Sequence, residues 1–455
     1  MKKNLRKILA LTLAALLLFA FVAACADNDD PPPAATPAPP PPDAPPPATD
    51  PEPQPPPPRP EGVVSDHEFT LEFWSMPTHA NEEATLEWLN PILDQFYVAY
   101  PGATVNFTLV PWTDAATNLT LALSTGHAPP DVHYTFPEQV WEFASAGWIV
   151  PIDEWFPDKD DFLGLDDCSW AGNFYMAPIL YSVSTWIYNT NILDQIGWDV
   201  NNLPETMDEF EAYLRQAKDN GVYGAWMNLG NMYVLNGVGP FWWSTGVDYI
   251  MPNDDIMIDD PVFANVLSRI ASWIDDDLMP REAIATLNAT PHMIDGEAGA
   301  TFLHASFLNL EEYQQTFTDW VIGPAIRYNA SATPTGLGIA CGFVMTKYCE
   351  EPDAAAYLIR LMTDYDAQIS FNEVVGFMPA RKSVPNIFGD RRGFEELTAL
   401  YASLPQSFGG AWNYKTGVAL MSLLAEEQKI YLGEVTLDAG IAAIRRLLED
   451  TVRDN

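Results

Sequence analysis

The first folded part of the chain alternates strand-like apolar runs with amphipathic helical segments. FTLEFW at 69–74 has the pattern of a strand, and Asn81, a favourable N-cap residue, precedes a helix whose apolar residues recur from 86 to 96. ATVNFTLV at 103–110 and DVHYTF at 131–136 repeat the strand pattern, and a helical segment follows each. This alternation predicts a parallel-rich sheet with helices on its faces, which is an α/β fold.

A second unit follows along the chain. The segment LPETMDEFEAYLRQAKDNG predicts a helix that begins near Pro204 and stops at Gly221. An aromatic, glycine-rich region occupies 223–246, and the tail from Asp353 onward is mainly helical in pattern. The roughly 390 residues that start at Val63 are enough for two domains with separate cores.

Residues 1–24 have the pattern of a secretion signal. Four basic residues precede an uncharged apolar stretch, and small residues follow it. The apolar stretch is short for a bilayer span, so we expect cleavage rather than permanent insertion. The sequence VAAC at 22–25 resembles a bacterial lipobox, which predicts cleavage before Cys25 and acylation of its thiol. The alternative is an ordinary secreted protein with an incidental cysteine.

Residues 25–65 consist of this cysteine followed by a linker segment dominated by proline. Such a segment cannot bury enough apolar surface to fold, and it favours an extended polyproline II conformation. With a rise of about 3.1 Å per residue, it reaches up to ~100 Å, so we expect a spacer between membrane and folded domain.

Charge excludes several classes of partner. The leader carries four of the 22 basic residues and none of the 62 acidic ones, so its removal leaves a formal charge of −44. This charge repels nucleic acid and anionic lipid surfaces. Cys168, Cys341 and Cys349 remain after Cys25. The last two are too far apart for a disulfide if they lie on one extended segment, and we expect free thiols.

Aromatic side chains occupy the positions where this fold class binds ligands. In open parallel sheets the ligand lies beyond the carboxyl ends of the strands. Trp74, Trp112 and Tyr134 lie at or just past three successive strand ends, and Trp226 and Trp242 lie in the glycine-rich region. Aromatic faces stack on sugar rings, although each strand-end aromatic taken alone is more typical of a core, and only their coincidence at three successive strand ends makes a ligand contact as plausible.

Signatures of catalysis or metal binding are lacking in the sequence. It contains no HExxH or CxxC spacing and no Walker A motif. The acidic stretch DEWFPDKDDFLGLDD at 153–167 departs from the ligand spacing of an EF-hand, so we expect a solvated loop. Paired carboxylates of a glycoside hydrolase remain an alternative, because 62 acidic residues offer many pairs.

Nine stretches in order, from about residue 66 to 450, resemble extracellular solute-binding protein family 1, the sugar-type substrate-binding lipoproteins of ABC importers. These stretches are FWSMPTHANEEATLEWLNPILDQFYVAYPGATVNFTLVPW, STGHAPPDVHYTF, WIVPIDEWF, YMAPILYSVSTWIYNTNIL, LPETMDEFEAYLRQA, DGEAGATFLHA, GLGIACGFVMTK, GFMPARKSV and GEVTLDAGIAAIRRLL.

The resemblance implies a two-lobed periplasmic-binding-protein-like (type II) α/β fold, with parallel-rich sheets flanked by helices and a hinge between the lobes. It implies an N-lobe at 66–182 and 300–344, a C-lobe at 183–299 and 345–455, and hinge crossings near 181–184, 298–304 and 341–347. By the same resemblance, ligand contacts would come from Trp74, Thr78, Trp112 and Tyr134 in the N-lobe, Tyr181 at the hinge, and Trp226, Trp242 and Trp412 in the C-lobe.

The sequence therefore predicts a lipid-anchored extracytoplasmic monomer that captures a carbohydrate, in particular an oligosaccharide, and delivers it to the permease subunits of an ABC importer. We expect no enzymatic activity, no cofactor, no metal and no nucleic-acid partner. A tethered glycan hydrolase or lyase is one alternative, and the same binding fold with a non-sugar solute or a sensory role is another.

Overall fold

The computed structural model describes residues 62–79, 81–232, 236–304, 315–384, 387–389, 391 and 413–454. The predicted lipidation site Cys25 and the predicted ligand contact Trp412 lie outside these residues, as do the leader and nearly all of the proline-rich segment.

The predicted alternation of strands and helices is present in the N-terminal region. It forms β1 (Phe69–Ser75), α1 (Glu82–Ala99), β2 (Ala103–Leu109), α2 (Trp112–Thr125), β3 (Val132–Thr135) and α3 (Pro137–Ser145). Asn81 caps α1 as predicted, because its side chain accepts a hydrogen bond from the backbone N–H of Ala84 at 2.9 Å. Strand β1 pairs in parallel with both β2 and β3.

Three short strands lead into a long one. They are β4 (Ile149–Val150), β5 (Ser169–Trp170) and β6 (Asn173–Phe174), with short 3₁₀ turns at Asp153–Trp155 and Lys159–Asp161. Strand β7 (Met176–Asn189) then runs for 14 residues and is buried throughout.

The rest of the described chain is mixed. In order it forms α4 (Thr190–Ile196), α5 (Met207–Asp219), α6 (Gly239–Trp243), α7 (Pro261–Asp275), α8 (Thr290–Ile294), β8 (Ala300–His304), β9 (Trp320–Ile322), β10 (Leu337–Thr346), α9 (Pro352–Met362), α10 (Tyr365–Val375), β11 (Met378–Pro379), α11 (Tyr414–Tyr431) and α12 (Leu437–Asp454). The predicted helix at 204–221 is α5, and the capping box of Thr206 and Glu209 fixes its start.

The long strand β7 connects two groups of elements. The main path of the sheet runs β11-β7-β10-β3-β1-β2. Residues Met176–Ser184 of β7 pair antiparallel with β10, whereas Ser184–Asn189 pair antiparallel with β8 and β9. The sheet is therefore parallel among its first three strands and antiparallel where the chain crosses between the groups. At the crossing Ser184 lies opposite both His304 of β8 and Leu337 of β10, so two of the predicted hinge segments, 181–184 and 298–304, pair with each other here. The third, 341–347, begins opposite Leu180 and runs along the first part of β7.

The contacts divide the later segments differently from the predicted lobe boundaries. Strand β8, predicted in the N-lobe, pairs with the second half of β7, and its Ala300 carbonyl accepts a hydrogen bond from the Trp226 N–H at 2.9 Å. Helices α9 and α10, predicted in the C-lobe, pack on α1, where the Trp88 indole donates to the Ala367 carbonyl at 3.3 Å. We therefore propose a first lobe of about 66–183 and 337–384 and a second of about 184–336 and 413–454. This division rests on strand pairing over more than 100 residues, which leaves no local signal in the sequence.

Helix α11 is a second place where the two groups touch. It packs on α7 and α12 of the second group and also on α3 of the first. The lobes are therefore in contact through this helix as well as through the crossing strands.

The acidic stretch 153–167 is not the solvated loop that the sequence predicts. Asp158 and Asp161 are buried, and the guanidinium of Arg381 lies 2.9 Å from the first carboxylate and 3.1 Å from the second. Burial alone would raise the pKa of Asp158, but hydrogen bonds and charge from Arg360 and Arg381 outweigh it and hold that pKa below its usual range. The loop is thus folded into the core by an arginine more than 200 residues away in sequence.

The expectation of free thiols is confirmed. Cys168 and Cys341 are buried, Cys349 is half-buried, and none of the three forms a disulfide. Burial raises the pKa of the Cys349 thiol to about 12, so it is unreactive at neutral pH. In the described part of the chain, none of the helices combines enough length with enough apolar sequence to cross a bilayer.

Candidate functional site

The carboxyl ends of β1, β2 and β3 lie at one edge of the sheet because the three strands are parallel. The loop after β1 carries Thr78, which is half-buried, and His79, which is buried. The His79 ring lies 5.9 Å from the Trp88 ring and 5.0 Å from the Phe371 ring, and burial lowers its pKa to about 4. This histidine is therefore a neutral packing residue beneath the strand ends.

Glu138 is the most unusual polar group at this edge. It lies in the first turn of α3, immediately after β3. Its Oε2 atom is buried and has no hydrogen-bond partner among the described residues. Burial, reinforced by the neighbouring charge of Glu142, raises its pKa to about 7. A half-buried carboxyl with an unused oxygen is suited to hydrogen bonding with a ligand hydroxyl.

A polar surface lies where the strands cross between the lobes. We call it the hinge face and define it as Ser182, Ser184, His304 and Phe377. The Nδ1 atom of His304 lies 3.1 Å from the Ser182 hydroxyl and 2.8 Å from the Ser184 hydroxyl, and its ring lies edge-on to Phe377 at 6.4 Å. Burial lowers the pKa of His304 to about 4, so the imidazole is neutral at physiological pH. The hinge face thus carries hydrogen-bonding groups and no charge.

Helix α10 connects the hinge face to the strand ends. Its Phe371 packs against His79, and Phe377 follows two residues after its last turn. Gln368 and Asn372 of this helix donate hydrogen bonds of 3.0 Å to the carbonyls of Pro178 and Ile179 in β7. The loop after β1 and the hinge face are therefore held by one rigid helix.

The structure places the predicted contacts of the first lobe in different surroundings. Trp74 is half-buried on β1 and packs against the core, and Trp112 begins α2 just past the end of β2. Tyr134 is buried in β3 with its ring 5.7 Å from Phe343. Tyr181 is buried on the face of β7 opposite to Ser182, and a side chain at Gly338 would clash with its hydroxyl. Tyr134 and Tyr181 therefore offer no open face to a ligand in this conformation.

The two described contacts predicted in the second lobe, Trp226 and Trp242, are covered as well. One ring of Trp226 lies parallel to the imidazole of His292, with centroids 3.5 Å apart, and its indole N–H donates to Thr286 at 2.9 Å. Trp242 is completely buried between Tyr249 and Phe263, at ring distances of 5.3 and 5.2 Å. Its surroundings are those of a core residue.

Sequence reasoning missed Glu138, the two serines and His304. The serines had a signal, because they occupy alternate positions in the otherwise apolar run MAPILYSVSTWIYN and must share one face of the strand. Glu138 also had one, since it follows the end of a predicted strand by two residues. His304 had none that is local, because its importance comes from pairing with Ser184 across 120 residues.

A cavity of about 690 Å³ lies in the second lobe, away from these groups. Its walls come from the end of α6, the start of α7 and the loop at 328–335, and include Trp243, Asp260 and Tyr328. It shares no residue with the hinge face or the predicted contact set.

Two groups of α/β elements joined by shared strands define a two-lobed α/β protein. The chain matches the family model of the bacterial extracellular solute-binding protein over residues 79–369. This match covers more than half of the sequence, and the chain belongs to that family.

Similar proteins agree with this assignment. A protein of Brucella abortus named only as a binding protein is 23% identical over 309 residues, which cover 63% of this chain and 71% of the relative. An ABC substrate-binding protein from Listeria monocytogenes, solved with cycloalternan, is similar with a TM-score of 0.70 at 15% identity, over 85% of this chain and 99% of that one. A maltose-bound protein of T. maritima has a TM-score of 0.68 at 18% identity, over 84% and 99% of the two chains. At these identities the similarity establishes the two-lobed fold.

Proposed function

We propose that this protein is a lipid-anchored, extracytoplasmic, monomeric solute-binding protein that captures a neutral oligosaccharide between its lobes and delivers it to an ABC importer. It binds its solute without chemical change. The observation that carries the proposal is the unpartnered Glu138 carboxyl oxygen at the strand ends, held in a protein whose family and fold are those of solute binders.

The chemistry of the site supports a carbohydrate. A carboxyl with one free oxygen accepts hydrogen bonds from hydroxyl groups, and the neutral hinge face offers no ion pair to a charged solute. The similar proteins named above were solved with cycloalternan and with maltose, which are both carbohydrates. These observations together favour a neutral polyhydroxylated ligand.

We assign the first-lobe contacts to Thr78, Trp112 and Glu138, with Trp74 at the margin. Trp412 precedes α11, the helix that packs on both lobes, and we propose it as the aromatic contact from the second lobe. Trp226 has one ring face covered by His292 and only 8% of its surface exposed, so we leave it outside the assigned set.

The anchor and the partner follow from the sequence. We propose that Cys25 is acylated after cleavage of residues 1–24, and that the proline-rich segment holds the lobes away from the membrane. The partner would be the permease of an importer, because the match to the family makes that the expected recipient of the solute.

Binding is tested by titrating the soluble protein from residue 62 onward with a panel of neutral mono- and oligosaccharides, followed by tryptophan fluorescence and calorimetry. We expect saturable binding of at least one oligosaccharide. Glu138→Ala should weaken that binding about 10-fold or more, because a ligand hydroxyl loses its acceptor inside the site. Glu142→Gln, one turn later on α3, serves as the matched control and should bind normally. Lack of response to every neutral sugar, with a response to an amino acid, polyamine or metal ion, would contradict the proposed class.

A second candidate function is a tethered glycoside hydrolase, which the raised pKa of Glu138 favours. A carboxyl with a pKa near 7 has the protonation behaviour of a general acid. Release of shorter sugars from the bound oligosaccharide, abolished in Glu138→Gln, would support this alternative; recovery of the oligosaccharide intact would reject it.

A further inference from the structure

The arrangement around His304 leaves hydrogen-bonding capacity unused. Ser182 and Ser184 lie on one face of β7, and His304 lies directly opposite Ser184 in β8. Both hydroxyls approach the same ring nitrogen, Nδ1. A neutral ring nitrogen has one lone pair or one proton, so it can satisfy only one of the two serines fully.

The second ring nitrogen is the other unused group. Among the described residues, none forms a hydrogen bond with Nε2 of His304, and the side chain is half-buried rather than enclosed. Both serines are buried, each with 2% of its surface exposed. Nε2 is therefore available to a polar group that enters at the hinge, and the two serine hydroxyls hold the ring from its buried side.

A hydrolytic role for this trio is not supported by its geometry. A nucleophilic serine needs a histidine whose other nitrogen is oriented by a third group, and in the described part of the chain no carboxylate bonds Nε2. The hydroxyls of Ser182 and Ser184 both contact Nδ1 and fix the plane of the imidazole ring, so the two serines position His304.

We propose that His304, fixed by Ser182 and Ser184, binds a hydroxyl group of the solute at the hinge and selects neutral over anionic sugars. This inference rests on the proposed function and specifies its substrate class. The hinge face has no cation to pair with a carboxylate, and burial keeps the imidazole uncharged. A uronate would therefore lose its hydration without gaining an ion pair, whereas a neutral hydroxyl finds a hydrogen-bond partner at a fixed position, the Nε2 atom of His304.

The test uses the oligosaccharide that the wild-type protein binds most tightly, and its uronate analogue. We expect His304→Ala to raise the Kd for the neutral sugar about 10- to 100-fold, because the solute hydroxyl then loses its hydrogen-bond partner inside the site. His304→Gln places an amide near the former Nε2 and should recover most of the lost affinity. His304→Lys should shift the preference toward the uronate, an effect that a merely structural histidine would not produce.

A matched control is His67→Ala. The Nδ1 atom of His67 also lies within hydrogen-bond distance of a serine hydroxyl, that of Ser65 at 2.5 Å. His67 is exposed, however, and precedes the start of β1, at the edge of the sheet opposite to the carboxyl ends of the strands. Its replacement should leave binding unchanged.

The outcomes separate the two proposals. If the wild-type protein binds no sugar, the proposed function fails and this inference fails with it. If the wild type binds but His304→Ala binds within twofold of it, the inference alone is wrong. If His304→Ala does not fold, two other measurements test the inference: the Kd of the Ser182→Ala/Ser184→Ala variant for the neutral sugar, and the imidazole nitrogen resonances of the wild type. We expect the Nε2 resonance to shift when sugar is added, and an unchanged resonance would overturn the inference.

Discussion

Replacing Arg381 with alanine tests how the acidic stretch 153–167 is held in the first lobe. Arg381 has 4% of its surface exposed, pairs with two buried aspartates, and donates from Nε to the Thr363 carbonyl at 2.7 Å. Its guanidinium also lies 4.2 Å from the centroid of the Phe162 ring. The substitution therefore removes several contacts and leaves two carboxylates in a low-dielectric environment.

The expected cost is that of breaking a buried ion pair from one side, about 3–5 kcal/mol. The lower part of this range is the better expectation, because Asp158 keeps Arg360 at 3.0 Å and Asp161 keeps the Ser383 hydroxyl at 2.6 Å. Urea denaturation of the soluble protein at pH 7, followed by circular dichroism, measures the change in the free energy of unfolding. The control is Lys382→Ala at the adjacent exposed position, which we expect to cost less than about 0.5 kcal/mol.

The pH dependence provides a second check. The folded-state pKa of Asp158 is depressed, so its contribution is present above the unfolded pKa of about 3.9 and is lost as the pH falls through the lower folded value. The difference in stability between wild type and Arg381→Ala should therefore shrink as the pH is lowered below about 4. A loss of less than 1 kcal/mol at pH 7, or a difference that is constant from pH 7 to pH 3, would refute the argument.

Three further outcomes are expected. Glu427 is buried and accepts a 2.6 Å hydrogen bond from the Tyr249 hydroxyl, and burial raises its pKa to about 8. Its contribution to the free energy of unfolding therefore falls as the pH rises from about 4.3, the unfolded pKa, toward 8. We expect Glu427→Gln to melt at a higher temperature than wild type at pH 8.5 and at no higher temperature at pH 5. His292→Ala should uncover one face of Trp226, cost about 1 kcal/mol and shift the tryptophan emission to longer wavelength, and an unchanged spectrum would contradict the stacking. Thr206→Ala should cost about 1 kcal/mol in urea denaturation by breaking the capping box of α5, whereas Thr206→Ser should cost much less.

The elements that sequence pattern predicted well are those with local signals. Strands β1 to β3 and helices α1 to α3 have their caps, periodicity and turns within a few residues of one another, and they were placed nearly correctly. The lobe boundaries depend on β7 pairing with β8 and β10, and on α9 and α10 packing against α1, which are contacts between distant parts of the chain. No window of sequence contains that information.

The site shows the same division. Thr78 and Trp112 follow strand ends, a position that topology alone makes a candidate. Trp242 was chosen for its aromatic ring and its glycine neighbours, but packing against Tyr249 and Phe263 buries it. The sequence pattern predicted a solvated loop at 153–167 because Arg381, which pairs with the buried Asp158 and Asp161, is far away in sequence.

Strand β7 pairs with β10 in its first part and with β8 and β9 in its second part, so it belongs to both lobes, which limits how the molecule can move. The lobes cannot swivel about one flexible peptide, because no unpaired residue separates them along this strand. Any opening has to be distributed as a small change of twist over several hydrogen-bonded residues. Hydrogen-bonded strands resist sharp bending at a single residue, so we expect any relative motion of the lobes to change each residue of the strand only slightly.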